Sequence, residues 1–399
     1  MSDNGISRRE FIKSLCIGAA AISIGDIAWA FNTDSPPNII YILLDDAGYG
    51  DFSCYGQKKF ETPAIDRMAG EGIRFTNHYS GSTLCAPSRC SLLTGLHTGH
   101  SYIRDNFSEK NGGQMPLPDG TVTFASLLKQ AGYATGAFGK WGLGYTGNSG
   151  DPLNQGFDEF FGYKCQSKAH NYYPRMLWHN NEKVELDGKT YSHDLIVENA
   201  FDFIRRNAGG RFFCYLPVTI PHASLHVPEE SAKPFRKKFR KFESKIGIYD
   251  GPTINNPPAC FAGMMTRLDS QIGQLLDMLV ELGIDDNTVV MLASDNGPHK
   301  EGGAMPEFFN SSGGLRGIKR DLYEGGVRVP FIVRWPGRTP RGAVSDHISA
   351  FWDIMPTMCD IAGIDTPGGT DGISMLPTLT GDTPAQKQHD YLYWELPAV

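Results

Sequence analysis

The sequence lacks the features of membrane, nucleic-acid-binding and disordered proteins. Its 37 lysines and arginines are outnumbered by 44 aspartates and glutamates, and the net charge of −7 excludes an extended basic footprint for nucleic acid. No apolar run is long enough to cross a bilayer, so we expect no stable membrane span. With 40% hydrophobic residues in 399, the chain is long and apolar enough to bury a large core.

Cysteine is scarce, and the eight cysteines are not arranged in close pairs. Cys16 lies near the N-terminus, and the other seven are scattered over the rest of the chain: Cys54, Cys85, Cys90, Cys165, Cys214, Cys260 and Cys359. This spacing excludes a zinc-binding motif and a dense disulfide framework. A few disulfides are compatible with the sequence, which does not determine their pairing.

The N-terminal segment has the three parts of an export signal. The pair Arg8-Arg9 precedes an apolar stretch over residues 14–24, and Ala28-Trp29-Ala30 has the form of a signal-peptidase site. We therefore predict a twin-arginine signal peptide over residues 1–30, with export of the folded protein by the twin-arginine machinery. The expected location is the bacterial periplasm or the exterior of the cell.

Four apolar runs rich in β-branched and aromatic residues predict strands buried on both faces of a parallel sheet. They cover residues 38–44, 133–138, 211–216 and 288–293, and helical patterns over residues 121–131 and 260–282 alternate with them. The alternation predicts an α/β fold with a mostly parallel, doubly wound sheet flanked by helices. Residues 222–258, rich in proline, lysine and glycine, predict an insertion loop whose basic run over residues 235–241 lies on an exposed helix face.

Each of the four predicted strands leads into side chains with chemical functions. The residues are Asp45, Asp46, Lys140, His222, Asp295 and Asn296. Ligands of open α/β sheets bind at the carboxyl ends of strands, so we expect these side chains to meet at one edge. The carboxylate and amide oxygens favour a hard cation, calcium before magnesium. Turn formation, for which Asp and Asn are common after strands, is the alternative interpretation of the acidic pairs.

The most specific motif of the chain is Cys85-Ala86-Pro87-Ser88-Arg89, which is followed by Leu93-Thr94-Gly95. It places a sulfur atom four residues before a guanidinium that stays cationic at any working pH. Taken alone, Cys85 is also compatible with a small buried hydrophobe or half of a disulfide, and Arg89 with a surface residue.

This motif resembles the signature of type I, formylglycine-dependent sulfatases, the arylsulfatase family of the alkaline phosphatase-like superfamily. The resemblance extends from about residue 37 to the end of the chain. It implies that a formylglycine-generating enzyme oxidises Cys85 to formylglycine and that one calcium ion is bound per chain. The hydrated aldehyde has two hydroxyls, of which one attacks the sulfur of a sulfate ester and the other later expels sulfate.

The resemblance implies a role for each residue of the strand ends and of the motif. The catalytic residues that it implies are Cys85, Arg89, Lys140, His222 and Lys319. The metal ligands that it implies are Asp45, Asp46, Cys85, Asp295 and Asn296. His222 would protonate the departing alcohol of a sulfate ester. Export favours a sulfated carbohydrate as the substrate, with aryl sulfates also accepted.

The chain departs from the family at one position. The family often has a histidine after Gly-Lys-Trp, where this chain has Gly142. His170 and His299 are the candidates to replace that histidine and to contact the substrate, and water is the alternative replacement. The resemblance further predicts a catalytic domain over residues 31–385, and residues 386–399 as the start of a smaller, apparently truncated C-terminal antiparallel-sheet domain whose first strand is at 391–395.

Two other functions remain open from the sequence. A phosphomonoester or phosphonate ester hydrolase of the same superfamily would use a similar metal-binding edge, although a single cluster of metal ligands favours the monoanionic sulfate ester. A periplasmic glycan-binding relative with an unconverted Cys85 is the non-enzymatic alternative. The missing histidine at Gly142 is the best support for that alternative.

Overall fold

A computed structural model describes residues 36–109 and 113–397 of the chain. The signal segment predicted over residues 1–30 lies outside the described residues. The strands are β1 (Asn38–Leu44), β2 (Ile73–Phe75), β3 (His78–Tyr79), β4 (Ala134–Lys140), β5 (Glu159–Tyr163), β6 (Met176–His179), β7 (Glu182–Glu185), β8 (Phe212–Pro217), β9 (Ile246–Gly247), β10 (Ile254–Asn255), β11 (Thr288–Ser294), β12 (Phe331–Arg334), β13 (Ala343–Ser345) and β14 (Ser349–Ala350). The α-helices are α1 (Pro63–Glu71), α2 (Cys85–Thr94), α3 (Phe124–Gln130), α4 (Ser192–Asn207), α5 (Glu229–Lys238), α6 (Pro257–Glu281), α7 (Pro306–Phe309), α8 (Glu324–Val327), α9 (Ile354–Ala362) and α10 (Leu376–Leu379).

Ten of these strands form one sheet, in the order β13-β2-β12-β11-β1-β8-β4-β5-β6-β7. The centre of the sheet is parallel, because β1 pairs with β11 and β8, and β4 pairs with β8 and β5. The flanking pairs β11–β12, β12–β2, β5–β6 and β6–β7 are antiparallel. The prediction of a mostly parallel sheet is confirmed for the strands that lead into the candidate site.

The central strand β1 contributes to two separate apolar cores, one on each face of the sheet. Ile40, Ile42 and Leu44 pack on one side with residues of α4 and α6. Ile39 and Tyr41 pack on the other side with residues of α2, α3 and α9. Helices therefore cover both faces, and this explains why the strand is apolar at every position after Asn38 rather than at every second one.

Two predicted helices differ from the observed ones at their ends, where capping sets the boundary. The helix predicted over residues 121–131 is α3, which begins only after Thr123, whose Oγ1 accepts a hydrogen bond from the Ser126 N–H over 3.1 Å. The helix predicted over residues 260–282 is α6, which begins three residues earlier, since Asn256 caps it and a proline occupies its first position.

The prediction of an insertion loop over residues 222–258 is wrong in part. The segment contains α5 and the small antiparallel sheet of β9 and β10. Phe239, directly after α5, packs edge to face on Phe308 and Phe309, with ring centroids 5.3 and 5.8 Å apart. This aromatic contact holds α5 in place. The proline and lysine content of the segment had favoured a loop over a helix. Lys237 and Lys238 lie on the exposed face of α5, as predicted.

The strand predicted over residues 391–395 does not form, since those residues pair with no strand in the described part of the chain. Instead, Trp394 packs on Tyr79 and Trp352, with ring centroids 5.2 and 5.4 Å away. Its indole N–H donates to the Ser80 carbonyl oxygen over 2.9 Å. The division into a catalytic domain over 31–385 and a following segment stays a prediction.

The described fold is held together without covalent cross-links. All seven of its cysteines are free thiols, so the few disulfides that the sequence allowed do not form there. None of the described helices combines the length and the apolar character that crossing a bilayer requires. Within the described residues, stability therefore comes from the two apolar cores, a smaller apolar cluster around Trp352, and buried polar contacts.

His78 is a buried histidine whose protonation opposes folding. Its ring stacks on Phe331 at a centroid distance of 4.0 Å, and its Nδ1 lies 2.9 Å from Ser349 Oγ. Burial, reinforced by His347, lowers the pKa of His78 to about 3. In an unfolded chain the pKa of histidine is about 6.5. Below that pH the unfolded chain binds a proton that the folded chain excludes, so stability is lost as the pH falls from 6.5 towards 3.

We expect the free energy of unfolding to fall by about 2 kcal/mol more between pH 7 and pH 5 for the wild type than for His78→Phe. Phenylalanine keeps the stack on Phe331 but cannot take up a proton. Urea denaturation at the two pH values measures the difference. Replacement of the exposed His179 by phenylalanine is the control, with the pH dependence of the wild type. Equal pH dependence of wild type and His78→Phe would contradict the exclusion of the proton.

Candidate active site

Two neighbouring strands bring acidic residues to one edge of the sheet. Leu44, the last residue of β1, lies opposite Ser294, the last residue of β11, so Asp45 and Asp295 follow side by side. The backbone N–H of Asp46 donates to Asp295 Oδ1 over 3.1 Å. The carboxyl ends of the parallel strands therefore meet as the sequence predicts.

Asp46 and Asn296 form a second pair at this edge. Asp46 has a left-handed backbone, with φ of 69°, which directs its carboxylate to the amide of Asn296. Asn296 Nδ2 donates to Asp46 Oδ1 over 2.7 Å. Asn296 Oδ1 is buried and has no hydrogen-bond partner among the described residues. The pair is thus a contact between two strand ends rather than two independent turns.

Cys85 reaches the same edge as the first residue of α2, a helix that is buried along its whole length. Its Sγ lies 3.4 Å from Asp45 Oδ1 and 3.9 Å from Asp46 Oδ1. Ligand atoms of Asp45, Asp46, Cys85 and Asp295 all lie within 4.8 Å of one another. Cys85 is a free thiol, which excludes its interpretation as half of a disulfide.

Arg89 is fully buried one turn along the same helix, so its interpretation as a surface residue is wrong. Its Nε and Nη2 donate to Asp295 Oδ2 over 3.0 and 2.8 Å. Its Nη1 donates to the carbonyl oxygen of Lys140 over 2.7 Å. Because all three nitrogens are directed at protein groups, Arg89 fixes the position of Asp295 and of the end of β4.

Two buried lysines flank the carboxylates. Lys140, the last residue of β4, donates from Nζ to the Asp45 oxygens over 2.9 and 2.7 Å. Lys319 donates from Nζ to Asp46 Oδ2 over 2.8 Å. Its own backbone N–H donates to the Pro298 carbonyl oxygen over 2.9 Å, which holds the loop after β11 in place. Each aspartate of the first acidic pair therefore has its own ammonium partner.

His222 enters the site from the loop after β8. Its Nδ1–H donates to the Ala223 carbonyl oxygen, so Nε2 carries the lone pair and accepts from Lys319 Nζ over 2.9 Å. Nε2 also lies 3.3 Å from Asp46 Oδ2. Burial, together with Lys319, lowers the pKa of His222 well below its usual range. The imidazole is therefore neutral, and the ammonium of Lys319 points a proton at it.

His170 and His299 both stack on His222, with ring centroids 4.3 and 5.3 Å away. His299 is buried, its Nε2 lies 3.2 Å from the Pro221 carbonyl oxygen, and its Nδ1 lies 3.1 Å from Glu301 Oε2. His170 is only half-buried. Of the two histidines predicted to contact the substrate, only His170 is thus left partly accessible.

Burial and charge act differently on the acids of the site. Burial opposes the ionisation of Asp45, but Lys140 and the neighbouring cations hold the pKa of Asp45 well below its usual range. Burial and the adjacent Asp45 raise the pKa of Asp295. Burial also raises the pKa of the Cys85 thiol well above its usual value. Cys85 as a thiol is therefore protonated and a weak nucleophile.

The side chains present fit a hard divalent cation. Asp45, Asp46 and Asp295 offer carboxylate oxygens, and Asn296 offers its buried, unpartnered amide oxygen. Oxygen ligands of this kind suit Ca²⁺ or Mg²⁺ rather than zinc. A cation at this edge would also relieve the repulsion between Asp45 and Asp295.

Residues 37–364 match the sequence model of the family described as Sulfatase. The chain belongs to the sulfatase family. It is 34% identical over 376 residues to human N-acetylgalactosamine-6-sulfatase, covering 88% of this chain and 67% of that protein. Mouse steryl-sulfatase is 30% identical over 96% of this chain and 72% of its own length. This sulfatase is a sulfuric ester hydrolase.

Solved structures share the fold of this sulfatase. Ps i-CgsB in complex with k-i-k-neocarrahexaose has a TM-score of 0.75 at 29% identity, covering 86% of this chain and 76% of that one. A protein solved with its substrate D-glucosamine-2-N,6-O-disulfate has a TM-score of 0.70 at 25% identity, covering 91% and 85%. The phosphonate monoester hydrolase of Agrobacterium radiobacter has a TM-score of 0.61 at 20% identity, covering 90% of this chain and 79% of that one. At this identity the likeness shows a shared fold alone.

Gly142 marks the position at which this sulfatase lacks a histidine. A Cβ at Gly142, whose φ is 83°, would lie 3.0 Å from Gln166 Oε1, so the side chain of Gln166 fills the neighbouring space. Gln166 and His170 are the two ends of one 3-10 helix. Gln166 is not predicted from the sequence, and neither is Tyr249, whose ring lies 5.2 Å from that of His170. Neither residue adjoins a motif that would have identified it.

Proposed function

We propose that this sulfatase hydrolyses a sulfate ester of a sulfated carbohydrate, with a formylglycine made from Cys85 and a bound calcium ion. The observation that carries the proposal is the convergence of Cys85 with Asp45, Asp46 and Asp295 at one buried edge. The carbohydrate class is supported by the N-acetylgalactosamine-6-sulfatase relative and by the structures solved with a neocarrahexaose and with a glucosamine disulfate. Aryl sulfates are proposed as further substrates.

Conversion of Cys85 fits the surroundings of that residue. The buried thiol holds its proton, whereas a hydrated formylglycine would supply one hydroxyl to attack sulfur and a second to expel sulfate. The residue is the first of α2, where the positive end of the helix dipole favours developing negative charge. Asp45 Oδ1, 3.4 Å from Sγ, is placed to accept a hydrogen bond from the side chain at position 85.

The cationic side chains of the site have two roles, binding of the sulfate group and positioning of other residues. Lys140 and Lys319 reach the carboxylates from either side, and in the proposal their ammonium groups offset the charge of the bound sulfate group. Arg89 is a positioning residue, because its donors are directed at Asp295 and at the end of β4. Held by Asp45, Asp46, Asp295 and Asn296, a calcium ion would polarise a sulfate oxygen and offset the charge of the three carboxylates.

The histidines take different parts in the proposed reaction. In the proposal, a proton passes from the Lys319 ammonium to Nε2 of His222 and from there to the departing alcohol, which leaves Lys319 as a neutral amine until solvent reprotonates it. His170, which is half-buried and stacks on His222, contacts the substrate. His299 supports the ring of His222 from a buried position and has both nitrogens facing protein groups. Of the two histidines expected to contact the substrate, the proposal therefore retains only His170.

Removal of the cation is expected to abolish sulfate release and to lower Tm, because Asp45, Asp46 and Asp295 would be left as adjacent carboxylates. Sulfate release from a panel of sulfated oligosaccharides and 4-nitrophenyl sulfate, with a thermal melt, is measured after chelation and after addition of Ca²⁺ or Mg²⁺. We expect calcium to restore both properties more fully, since magnesium demands octahedral geometry and retains its waters.

The control variant is Asp382→Asn, which removes an exposed carboxylate away from the candidate metal ligands. It is expected to respond to chelation as the wild type does. Full activity of the chelated protein would overturn the cation requirement. Turnover of aryl sulfates with no release from any sulfated sugar would overturn the proposed substrate class.

The maturation route is also proposed from the sequence. The twin-arginine pattern over residues 1–30 supports export to the periplasm or the exterior, and Cys85 in its Cys-x-Pro-x-Arg setting supports recognition by a formylglycine-generating enzyme.

A further inference from the structure

Five of the described residues other than glycine have a left-handed backbone. Four are of the two types that adopt this conformation most readily, namely Asp46, Asn180, Asn256 and Asn310. The fifth is Arg320, with φ of 78°. An arginine has no short polar side chain to satisfy the local backbone, so the conformation is disfavoured by its Cβ. Such strain is retained where the surrounding structure imposes it, often at a functional site.

The backbone around Arg320 is fixed by the active site itself. The Lys319 N–H donates to the Pro298 carbonyl oxygen over 2.9 Å, and the Arg320 N–H donates to the Thr83 carbonyl oxygen over 3.1 Å. Thr83 lies two residues before Cys85 in the sequence. In this segment the Lys319 ammonium is buried against Asp46, and the side chain of the next residue, Arg320, lies exposed at the rim of the site.

The side chain of Arg320 is 57% exposed and keeps part of its hydrogen-bonding capacity free. Its Nη1 pairs with Glu301, and its Nε and Nη2 donate to no other described residue. Glu301 in turn contacts His299, which stacks on His222. Although burial opposes the charged form, the hydrogen bond and the charge of Glu301 raise the pKa of Arg320, so the guanidinium keeps its charge at the rim of the site.

We propose that Arg320 binds a second anionic group of the substrate, a sulfate or carboxylate on the same glycan as the scissile sulfate ester, an inference that rests on the proposed function. The free Nε and Nη2 lie on one edge of a planar guanidinium, and this edge matches two oxygens of such a group. Lys140 and Lys319 are buried and each already faces an aspartate. Arg320 is instead an exposed cation beside the site, in reach of groups further along a glycan.

The test is competitive inhibition of 4-nitrophenyl sulfate hydrolysis by disaccharides with one sulfate, with two sulfates, or with one sulfate and one carboxylate. Wild type is expected to bind a doubly anionic disaccharide about tenfold more tightly than its monosulfated counterpart. Arg320→Gly is expected to lose that preference, while glycine adopts φ of 78° without strain and so keeps the fold. The two doubly anionic arms distinguish a second sulfate from a carboxylate.

Arg320→Ala separates recognition from stability. It removes the charge but keeps a Cβ in the left-handed conformation, so we expect a lower Tm than for Arg320→Gly with the same loss of preference. Arg316→Ala, at an exposed arginine stacked on Tyr323, is expected to keep the preference. A preference that survives in Arg320→Gly, or that falls in step with Tm, would overturn the inference alone. Failure of the wild type to hydrolyse any sulfate ester would overturn the proposed function as well.

Discussion

Cys85→Ala is expected to abolish sulfate ester hydrolysis, lowering kcat/KM by more than about 10⁴-fold, because the nucleophile is removed. The residue lies at the start of a buried helix, 3.4 Å from Asp45 Oδ1, and its replacement takes away the side-chain atom that faces Asp45 and Asp46. Alanine is smaller than cysteine, so a loss of fold is not expected. Turnover of 4-nitrophenyl sulfate, with a thermal melt as the folding control, measures the effect.

Cys85→Ser gives the sharper result. Serine retains one hydroxyl and can attack sulfur, but it lacks the second hydroxyl that expels sulfate. We therefore expect the sulfate ester of the introduced serine to accumulate after a single turnover, detected by mass spectrometry of the tryptic peptide Phe75–Arg89. Cys90→Ala, on the same buried helix, is the matched control and is expected to keep turnover. The wild-type peptide, made with a formylglycine-generating enzyme, should have lost the sulfur of Cys85. An intact, active thiol would contradict the proposed nucleophile.

Loss of His222 is expected to slow substrates with poor leaving groups far more than activated aryl esters. A sugar alkoxide needs a proton as it departs, whereas 4-nitrophenolate leaves without one, so we expect His222→Ala to lower kcat on sulfated sugars by about 10²–10⁴-fold. The ring is held by the Nδ1–H bond to the Ala223 carbonyl oxygen, which keeps Nε2 turned to Lys319 Nζ, 2.9 Å away.

The contact between His222 and Lys319 makes a second outcome testable. If the two residues deliver the proton as a unit, the double variant His222→Ala with Lys319→Met should be scarcely slower on sugars than the worse single variant. His179→Ala, at the exposed last residue of β6, is the control and should act on both substrate classes as the wild type does. Equal losses on sugar and aryl sulfates in His222→Ala would show that the imidazole does not serve the leaving group.

The sequence alone was sufficient to predict the sheet and the edge at which the site lies. β1 and β11 are buried at every position and apolar at all but their end residues because helices cover both of their faces, and that pattern is visible in the residues themselves. Parallel strands present their carboxyl ends at one edge, so Asp45 and Asp295 had to lie close together once the strands were neighbours. The loss of a histidine at Gly142 was equally visible.

Only the tertiary structure decided how side chains far apart in sequence meet. In the folded chain, Arg89 points inwards and donates to Asp295. His299 and His170 both stack on His222, and only His170 stays partly accessible. The fold also gives Arg320 a left-handed backbone. Local patterns determine which element a segment forms and which face it buries. The contact of Lys319 with Asp46 spans 273 residues, and such partners are selected by the packing of the whole sheet and its loops, which no local pattern records.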